Sequence, residues 1–207
     1  MMEEKAQNRI VEEVIKSQNR ILMEVKEWSR SLLWGAIFVY FFTSYVFKAY
    51  KVEGTSMQPL LQDGERIFVN RLLYRVNDIS RGDVVVFYYP AEPKDYFIKR
   101  VLGLPGEMVE VKKGIVYINS KKVDDHFVPT YFRSRENVPR MLIPEGHYFV
   151  SGDHRNRSYD SRAWANEKDK TAFVPEKYIM GKASFRYWPL DEFGAIDTNF
   201  RVVESTE

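Results

Sequence analysis

Short runs of β-branched and aromatic residues, each followed by a turn that contains glycine, restrict the fold of this chain more than any other feature. They begin after residue 50 and recur at 67–69, 84–89, 96–101, 108–111, 115–118 and 147–150. Lys112-Lys113-Gly114, which separates two of these runs, is typical of a hairpin turn. We therefore predict a mainly β domain over residues 48–207, with antiparallel sheets in a barrel-like arrangement. Residues 107–143 would include this hairpin and a small β insertion, since 119–143 are more polar.

The first 30 residues alternate charged and apolar positions and predict an amphipathic helix. The apolar face of this helix has the three-four spacing of Val11, Val14, Gln18, Ile21, Val25, Trp28 and Leu32. Such a face over residues 11–32 favours either self-association or a partner helix, or else a helix that lies on the membrane surface or simply leads into a span. We favour the membrane, because the run is short for a coiled coil and Gln18 interrupts it.

Residues 31–47 form a run of 17 without a charged side chain, which predicts a transmembrane helix at the short end of the usual range. A cleavable signal peptide is disfavoured by the 30 preceding residues and by the lack of an Ala-x-Ala site. A buried core helix is disfavoured because the run is apolar on every side. Basic residues flank both ends of the run, so their charges do not decide its orientation.

The overall composition argues against several classes of function. The formal net charge is +2 and the basic residues are scattered, so we expect no nucleic-acid partner. The chain has no cysteine, which excludes disulfides, thiol catalysis and cysteine-based metal sites. No HExxH motif or cluster of histidine and carboxylate residues is present, so we expect neither a metal nor another cofactor.

Ser56 is the best candidate for a nucleophile. It lies within Gly54–Pro59, where the glycine and the proline oppose a regular helix and favour a fixed turn. A serine hydroxyl needs an adjacent base before it can attack. Lys99 is the best candidate for that base, because a strand would place it on one face with Phe97 and Val101. Apolar surroundings lower the pKa of a lysine, and the neutral amine can accept a proton.

A third stretch, residues 151–162, is dense in short polar side chains and opposite charges. It can fold on itself through hydrogen bonds and ion pairs, and it can hold a second serine against Lys99. It also contains His154, which is an alternative base for Ser56. We disfavour the histidine, because a Ser/Lys pair already accounts for the chemistry.

These stretches occur in an order that resembles the type I signal peptidases, which are membrane-bound Ser/Lys endopeptidases that remove signal peptides from exported proteins. The motifs are Ser56-Met57-Gln58-Pro59, Arg81-Gly82-Asp83-Val84-Val85-Val86-Phe87, Lys99-Arg100-Val101-Leu102-Gly103-Leu104-Pro105-Gly106-Glu107, and Gly152-Asp153 followed by Ser158-Tyr159-Asp160-Ser161-Arg162. The resemblance extends from the charge-free run to near the C-terminus. It implies a single-pass protein of the bacterial plasma membrane, with the N-terminus in the cytoplasm and the catalytic domain on the extracytoplasmic side.

The resemblance implies roles for the residues of the catalytic centre. Ser56 matches the nucleophile and Lys99 the general base. Ser158 matches a serine that hydrogen-bonds and positions the lysine. The residues that match a supporting network of ion pairs are Asp153, Asp160 and Arg162.

The resemblance also implies the substrate and the pockets that select it. The implied substrates are preprotein signal peptides with small residues at positions −3 and −1. The resemblance also implies that the N-terminal helix contacts a lipid bilayer. The positions that match pocket-lining residues are Tyr50, Val52, Met57, Leu61, Phe97 and Ile98.

Several positions depart from the family pattern. Acyl transfer needs donors for the oxyanion, and the backbone N–H of Ser56 is the first candidate. Some family members add a serine hydroxyl two residues before the nucleophile, but this chain has Gly54 there, as in the glycine-bearing branch, and the second donor stays open. Leu60 stands where threonine is usual, and His154 and Arg157 stand where asparagine is usual.

Two other functions share part of this pattern. Self-cleaving repressor-type proteases have a similar Ser/Lys core, but they are soluble and carry a DNA-binding domain, and residues 1–47 contain no helix-turn-helix. A catalytically inactive membrane-anchored β module is disfavoured by the presence of Ser56, Lys99 and Ser158. Cleavage of a preprotein in detergent would separate an enzyme from such a module.

Overall fold

The N-terminal part of the protein is a single long helix. The structure, a computed structural model, describes residues 2–72, 78–167 and 171–196, and the chain divides into two units, residues 1–44 and 45–207. Helix α1 (Met2–Tyr45) has 44 residues and is about 66 Å long. The amphipathic segment and the charge-free run are thus parts of one helix, which ends before Phe47 begins the first strand.

Among the described residues, no helix combines the length and the apolar character needed to cross a membrane. The transmembrane helix predicted over residues 31–47 is therefore not confirmed. The charge-free run is short for a span, and Ser31, Gly35 and Tyr40 lower its mean hydropathy.

The second unit consists mainly of antiparallel strands, which confirms the mainly β architecture with an N-terminal helix. A one-turn helix, α2 (Ser161–Trp164), is its only α-helix within the described residues. The strands are β1 (Phe47–Lys51), β2 (Arg66–Asn70), β3 (Val84–Tyr88), β4 (Tyr96–Gly103), β5 (Met108–Lys112), β6 (Ile115–Ile118), β7 (Lys121–Lys122), β8 (Val138–Leu142), β9 (His147–Ser151), β10 (Val174–Pro175), β11 (Ile179–Trp188) and β12 (Gly194–Ala195).

The strands form two sheets. The larger has the order β1-β2-β11-β3-β4-β9-β10, with β12 paired to β11, and the smaller has the order β7-β6-β5-β8. Within the described residues the larger sheet is open, because its two end strands, β1 and β10, do not pair with each other. The predicted barrel-like closure is thus corrected: the spacing of strands along a sequence does not determine whether the end strands of a sheet meet.

Strand β3 lies at the centre of the core and is buried on both faces. Residues Val84–Phe87 are at most 1% exposed. Their even-numbered side chains pack with Met57 and Leu61, whereas the odd-numbered ones pack with Trp164. Since side chains alternate across a strand, the larger sheet supports the turn around Ser56 on one face and α2 on the other.

The smaller sheet has its own apolar cluster, which is continuous with the larger sheet. Leu102 of β4 and Phe149 of β9 are fully buried against β5, β6 and β8. The Arg81 guanidinium also joins the two parts, donating to Leu102 O and to the Glu107 carboxylate. The second sheet is therefore anchored at the end of β4, the strand that carries Lys99.

Candidate active site

Ser56 lies on a turn between β1 and β2 that is held at several points. The N–H of Gly54 donates to Asp63 Oδ1 at 2.7 Å, and Leu61 N donates to Met57 O at 3.0 Å. Met57 and Leu61 are 1% and 0% exposed, so they anchor the turn in the core. These contacts leave the Ser56 side chain half-buried on a fixed backbone.

Lys99 projects from β4 toward this turn. Its Nζ lies 2.9 Å from Ser56 Oγ and donates to the carbonyl oxygen of Ile98 at 3.0 Å. The residue is only 5% exposed. The two residues selected from the sequence, 43 positions apart, are therefore within direct hydrogen-bonding distance of each other.

The surroundings of Lys99 favour its neutral form. Burial lowers its pKa from 10.5 to about 8, since water no longer solvates the ammonium group. The negative charges of Asp160 and Asp153 oppose this shift, and the positive charge of Arg162 adds to it. A lysine in this state can accept a proton near neutral pH and return it later in the reaction.

Two buried ion pairs fix the loop that follows β9. Arg100 holds Asp153 with two hydrogen bonds of 2.8 and 2.7 Å, and Arg162 holds Asp160 with two of 2.9 and 2.7 Å. Burial would raise the pKa of Asp160, but Arg162 and other hydrogen-bond donors lower it below its usual value. Asp160 also accepts from the N–H of Gly152 at 2.9 Å. The three residues predicted to form the network of ion pairs thus lie in one fixed segment, which runs from this loop into α2.

Gly152 lies where this loop meets the nucleophile turn. A Cβ added at Gly152 would overlap with Ser56 O and Ser158 Oγ. Ser158 Oγ is buried and close enough to Asp160 to lower its pKa, but makes no hydrogen bond of normal geometry within the described residues. The hydrogen bond from Ser158 to the lysine, implied by the resemblance, is therefore absent from this structure.

His154 is close to the turn but is not positioned as a base. Its ring Nδ1 lies 3.1 Å from the carbonyl oxygen of Thr55, and its backbone N–H donates to Ser56 O at 3.1 Å. A carbonyl oxygen carries no proton, so Nδ1 must be the protonated nitrogen here. The contacts of His154 are with the backbone of the turn, whereas the Ser56 hydroxyl faces Lys99.

A cavity of about 310 Å³ opens beside Ser56 and Lys99. Four of the predicted pocket residues line it: Val52, Met57, Phe97 and Ile98. Leu61 and Tyr50 do not line it. Leu61 is completely buried in the core, and Tyr50 is 6% exposed with its hydroxyl 3.7 Å from Met180 Sδ.

Sequence reasoning missed part of the cavity and part of the network. Lys51, Glu53 and Gly54 line the cavity. Lys94 and Asp95, just before β4, and Tyr96, its first residue, line it as well. Their position next to Lys99 along the sequence could have indicated that they lie near the site. Arg100 was also missed, although a basic residue next to Lys99 and an aspartate in the third stretch suggest an ion pair. Arg155, which donates to Gly152 O at 3.1 Å, carries no comparable signal.

Comparisons with known proteins show the family of this chain. A family model described as signal peptidase, peptidase S26, matches residues 25–188. Signal peptidase IB of Staphylococcus aureus (strain COL) is 34% identical over 186 residues, which cover 82% of this chain and 93% of that protein. Signal peptidase I of Bacillus caldolyticus is 38% identical over 161 residues, which cover 72% and 84%.

A solved structure of a signal peptidase I from Enterococcus faecalis V583 is 28% identical; the match covers 52% of this chain and 98% of that one, with a TM-score of 0.40. The family match extends over most of the chain and includes both Ser56 and Lys99. The chain therefore belongs to the peptidase S26 family of signal peptidases, which cleave signal peptides.

Proposed function

We propose that this protein cleaves preproteins with Ser56 as the nucleophile and Lys99 as the general base. The observation that carries the proposal is the 2.9 Å separation of Lys99 Nζ and Ser56 Oγ. The lowered pKa of Lys99 supports it, because only the neutral amine can take the serine proton. The hydrogen bond from Nζ to Ile98 O holds the amine in place.

The reaction proceeds in two steps. Ser56 Oγ attacks the carbonyl carbon before the cleavage site while its proton passes to Lys99 Nζ. The resulting ammonium gives that proton to the leaving amine, the peptide C–N bond breaks, and an ester to Ser56 remains. Lys99 then takes a proton from water, and the hydroxide attacks the ester carbon. The bond from that carbon to Ser56 Oγ breaks, the new C-terminus leaves as a carboxylate, and the ammonium returns the proton to Oγ.

The oxyanion formed at each attack needs a hydrogen-bond donor, and we assign the backbone N–H of Ser56 to it. Gly54 has no side chain to add a second donor. Its φ of +84° lies in the left-handed region, so a serine at this position would be strained. The Ser56 N–H therefore carries more of this stabilisation in this chain than in a family member with a serine at this position.

The substrate binds as an extended strand between two strand edges. In the described residues, β1 pairs only with β2, and β4 pairs with β9 only from Arg100 onward. Residues 51–54 and 96–99, which include these unpaired stretches of strand, both line the cavity. A peptide placed there would add main-chain hydrogen bonds to the sheet. Its alternate side chains, at −1 and −3, would enter the cavity and have to be small.

We also propose that α1 anchors the protein in the bacterial plasma membrane in a single pass, with the catalytic unit on the extracytoplasmic side. Large apolar side chains of α1 are exposed within their own unit: Trp28, Leu32 and Phe38 are 73%, 70% and 67% exposed. Lipid is the preferred partner of this surface, and a second copy of the helix, through residues 11–32, is the alternative. Cross-linking between two copies would indicate the alternative.

The test is cleavage of a preprotein by the purified full chain in detergent. Ser56→Ala and Lys99→Ala should each abolish cleavage, and the double variant should be little worse than either single variant, since the two residues act as one unit. Lys99→Arg should not restore activity, because a guanidinium stays protonated. Cleavage that persists in Ser56→Ala would disprove the assignment of the nucleophile.

A further inference from the structure

His154 binds two consecutive carbonyl groups of the nucleophile turn. Its backbone N–H donates to Ser56 O at 3.1 Å, and its ring Nδ1–H donates to Thr55 O at 3.1 Å. The residue is 5% exposed, so little water competes for these bonds. None of these contacts serves proton transfer between Ser56 and Lys99, which leaves their function to be explained.

The imidazole ring is fixed by the segment that precedes β8. The ring of Phe132 stacks on it with the centroids 3.7 Å apart and the planes 25° apart. Phe132 belongs to a short 3₁₀ turn, Thr130–Phe132, and Asn156 Nδ2 donates to Tyr131 O in that turn at 2.8 Å. The ring therefore cannot rotate freely, and its Nδ1–H keeps pointing at Thr55.

The bond to Thr55 O acts on the amide that binds the oxyanion. Thr55 C=O and Ser56 N–H belong to the same peptide group, which is planar and trans, so the two bonds point in opposite directions. A donor that fixes the carbonyl consequently fixes the direction of the N–H. A hydrogen bond to the carbonyl also polarises the amide and strengthens the N–H as a donor.

We propose that His154 is a positioning residue that orients and polarises the Thr55–Ser56 peptide so that the Ser56 N–H stabilises the oxyanion. This inference rests on the proposed function, because it assumes that Ser56 forms the acyl-enzyme. The contribution of His154 is largest where no side chain assists the N–H, as at Gly54 of this chain.

The experiment measures kcat and KM of the full chain in detergent, with a peptide that carries alanine at −1 and −3. His154→Leu removes the side-chain donor and leaves Thr55 O only the 3.2 Å bond from Gln58 N–H. We expect kcat to fall about tenfold with little change in KM, because the oxyanion exists only after attack. His154→Asn places an amide N–H at the same number of bonds from Cβ, and should recover most of the lost kcat. His126→Leu is the matched control; this histidine is exposed and pairs with Asp124, and its loss should leave both constants unchanged.

Wild-type kcat in His154→Leu would overturn the proposal, as would an asparagine variant as slow as the leucine variant. If His154→Leu does not fold, as judged by its thermal midpoint, Phe132→Leu provides the test. It keeps an apolar side chain but removes the flat ring, so kcat should fall while KM stays constant; an unchanged kcat would overturn the proposal. Ser56→Ala in the same assay distinguishes failure of this inference from failure of the proposed function. Cleavage that persists in Ser56→Ala refutes Ser56 as the nucleophile.

Discussion

Lys99 is a basic side chain in a place that water hardly reaches, and its burial has a thermodynamic consequence. Its pKa is about 8 in the folded protein and 10.5 in the unfolded chain, so between these values the folded protein binds fewer protons. Stability therefore rises with pH across this window and is lowest below pH 8. The difference corresponds to about 3 kcal/mol, which the fold loses at neutral pH to keep a reactive amine.

Replacing Lys99 with a neutral side chain should therefore stabilise the protein while it abolishes cleavage. We expect Lys99→Met to raise the free energy of unfolding at pH 7 by up to about 3 kcal/mol. The gain should shrink as the pH rises from about 8 to 10.5, since the folded wild-type protein loses the Lys99 proton above about 8 whereas the unfolded chain keeps it until about 10.5. Urea unfolding at both ends of this range measures the effect. Equal stability of the two proteins at pH 7 would show that burial does not lower the pKa of Lys99.

The sequence predicted the juxtaposition of Ser56 and Lys99 because local features carry the information. The glycine and proline around Ser56 indicate a turn, and Phe97 and Val101 indicate a buried face for Lys99. The orientation of Ser158 depends on the loop 151–162 as a whole, and a serine hydroxyl has many acceptors to choose from. A hydrogen bond from Ser158 to Lys99 therefore could not be predicted from local sequence patterns, and the structure lacks this bond.

At the scale of single elements, the cavity beside β1 and β4 determines which positions of a bound substrate are selected. Side chains of an extended peptide alternate in direction, so in the proposed mode of binding those at −1 and −3 would enter the cavity while the one at −2 would point away. We expect a peptide with phenylalanine at −1 or −3 to lose most of its cleavage, and a peptide with phenylalanine at −2 to keep most of it. The initial rates of a matched peptide series measure this. Equal sensitivity at all three positions would contradict the strand-like binding.

A second prediction at this scale concerns Gly152, in the loop that carries the ion pairs. Gly152→Ala would place a Cβ against Ser56 O and Ser158 Oγ, so the loop and the nucleophile turn must shift relative to each other. We expect a loss of kcat of about a hundredfold, because small displacements of reacting groups are costly. Gly194→Ala is the control, as nothing lies within 4 Å of its Cβ position and its φ is not in the left-handed region. Similar kcat values for both variants would show that Gly152 does not lie as close to the nucleophile turn as the structure has it.

The strands could be predicted where apolar residues form a run or alternate, as in β3, which is buried on both faces. Strand β11, which lies between β2 and β3, was missed. Two of its buried positions are Gly181 and Ala183, so its inner face shows little hydrophobic pattern in the sequence. Strand β8 was missed because Pro139 is unusual in a strand, although an edge strand such as β8 tolerates it.

At the scale of the whole molecule, the exposed apolar surface of α1 is the feature that needs a partner. The sequence predicted two separate segments, because charges end near Arg30, but helical backbone bonds continue through that change to Tyr45. The exposed Trp28, Leu32 and Phe38 need an apolar partner. If the partner is lipid, alkaline carbonate extraction of membranes should leave the full chain in the pellet. Release into the supernatant would show that α1 does not anchor the protein.

The central claim is that neutral Lys99 activates Ser56, and the pH dependence of kcat/KM tests it most directly. The profile of kcat/KM reports the pKa of the essential base in the free enzyme. A peptide without titratable side chains removes the contribution of the substrate. We expect kcat/KM to fall about tenfold per pH unit below a midpoint near 8, the pKa of Lys99, and to level off above it. A midpoint of about 6.5, the ordinary pKa of histidine, or a profile flat through pH 8, would contradict the claim.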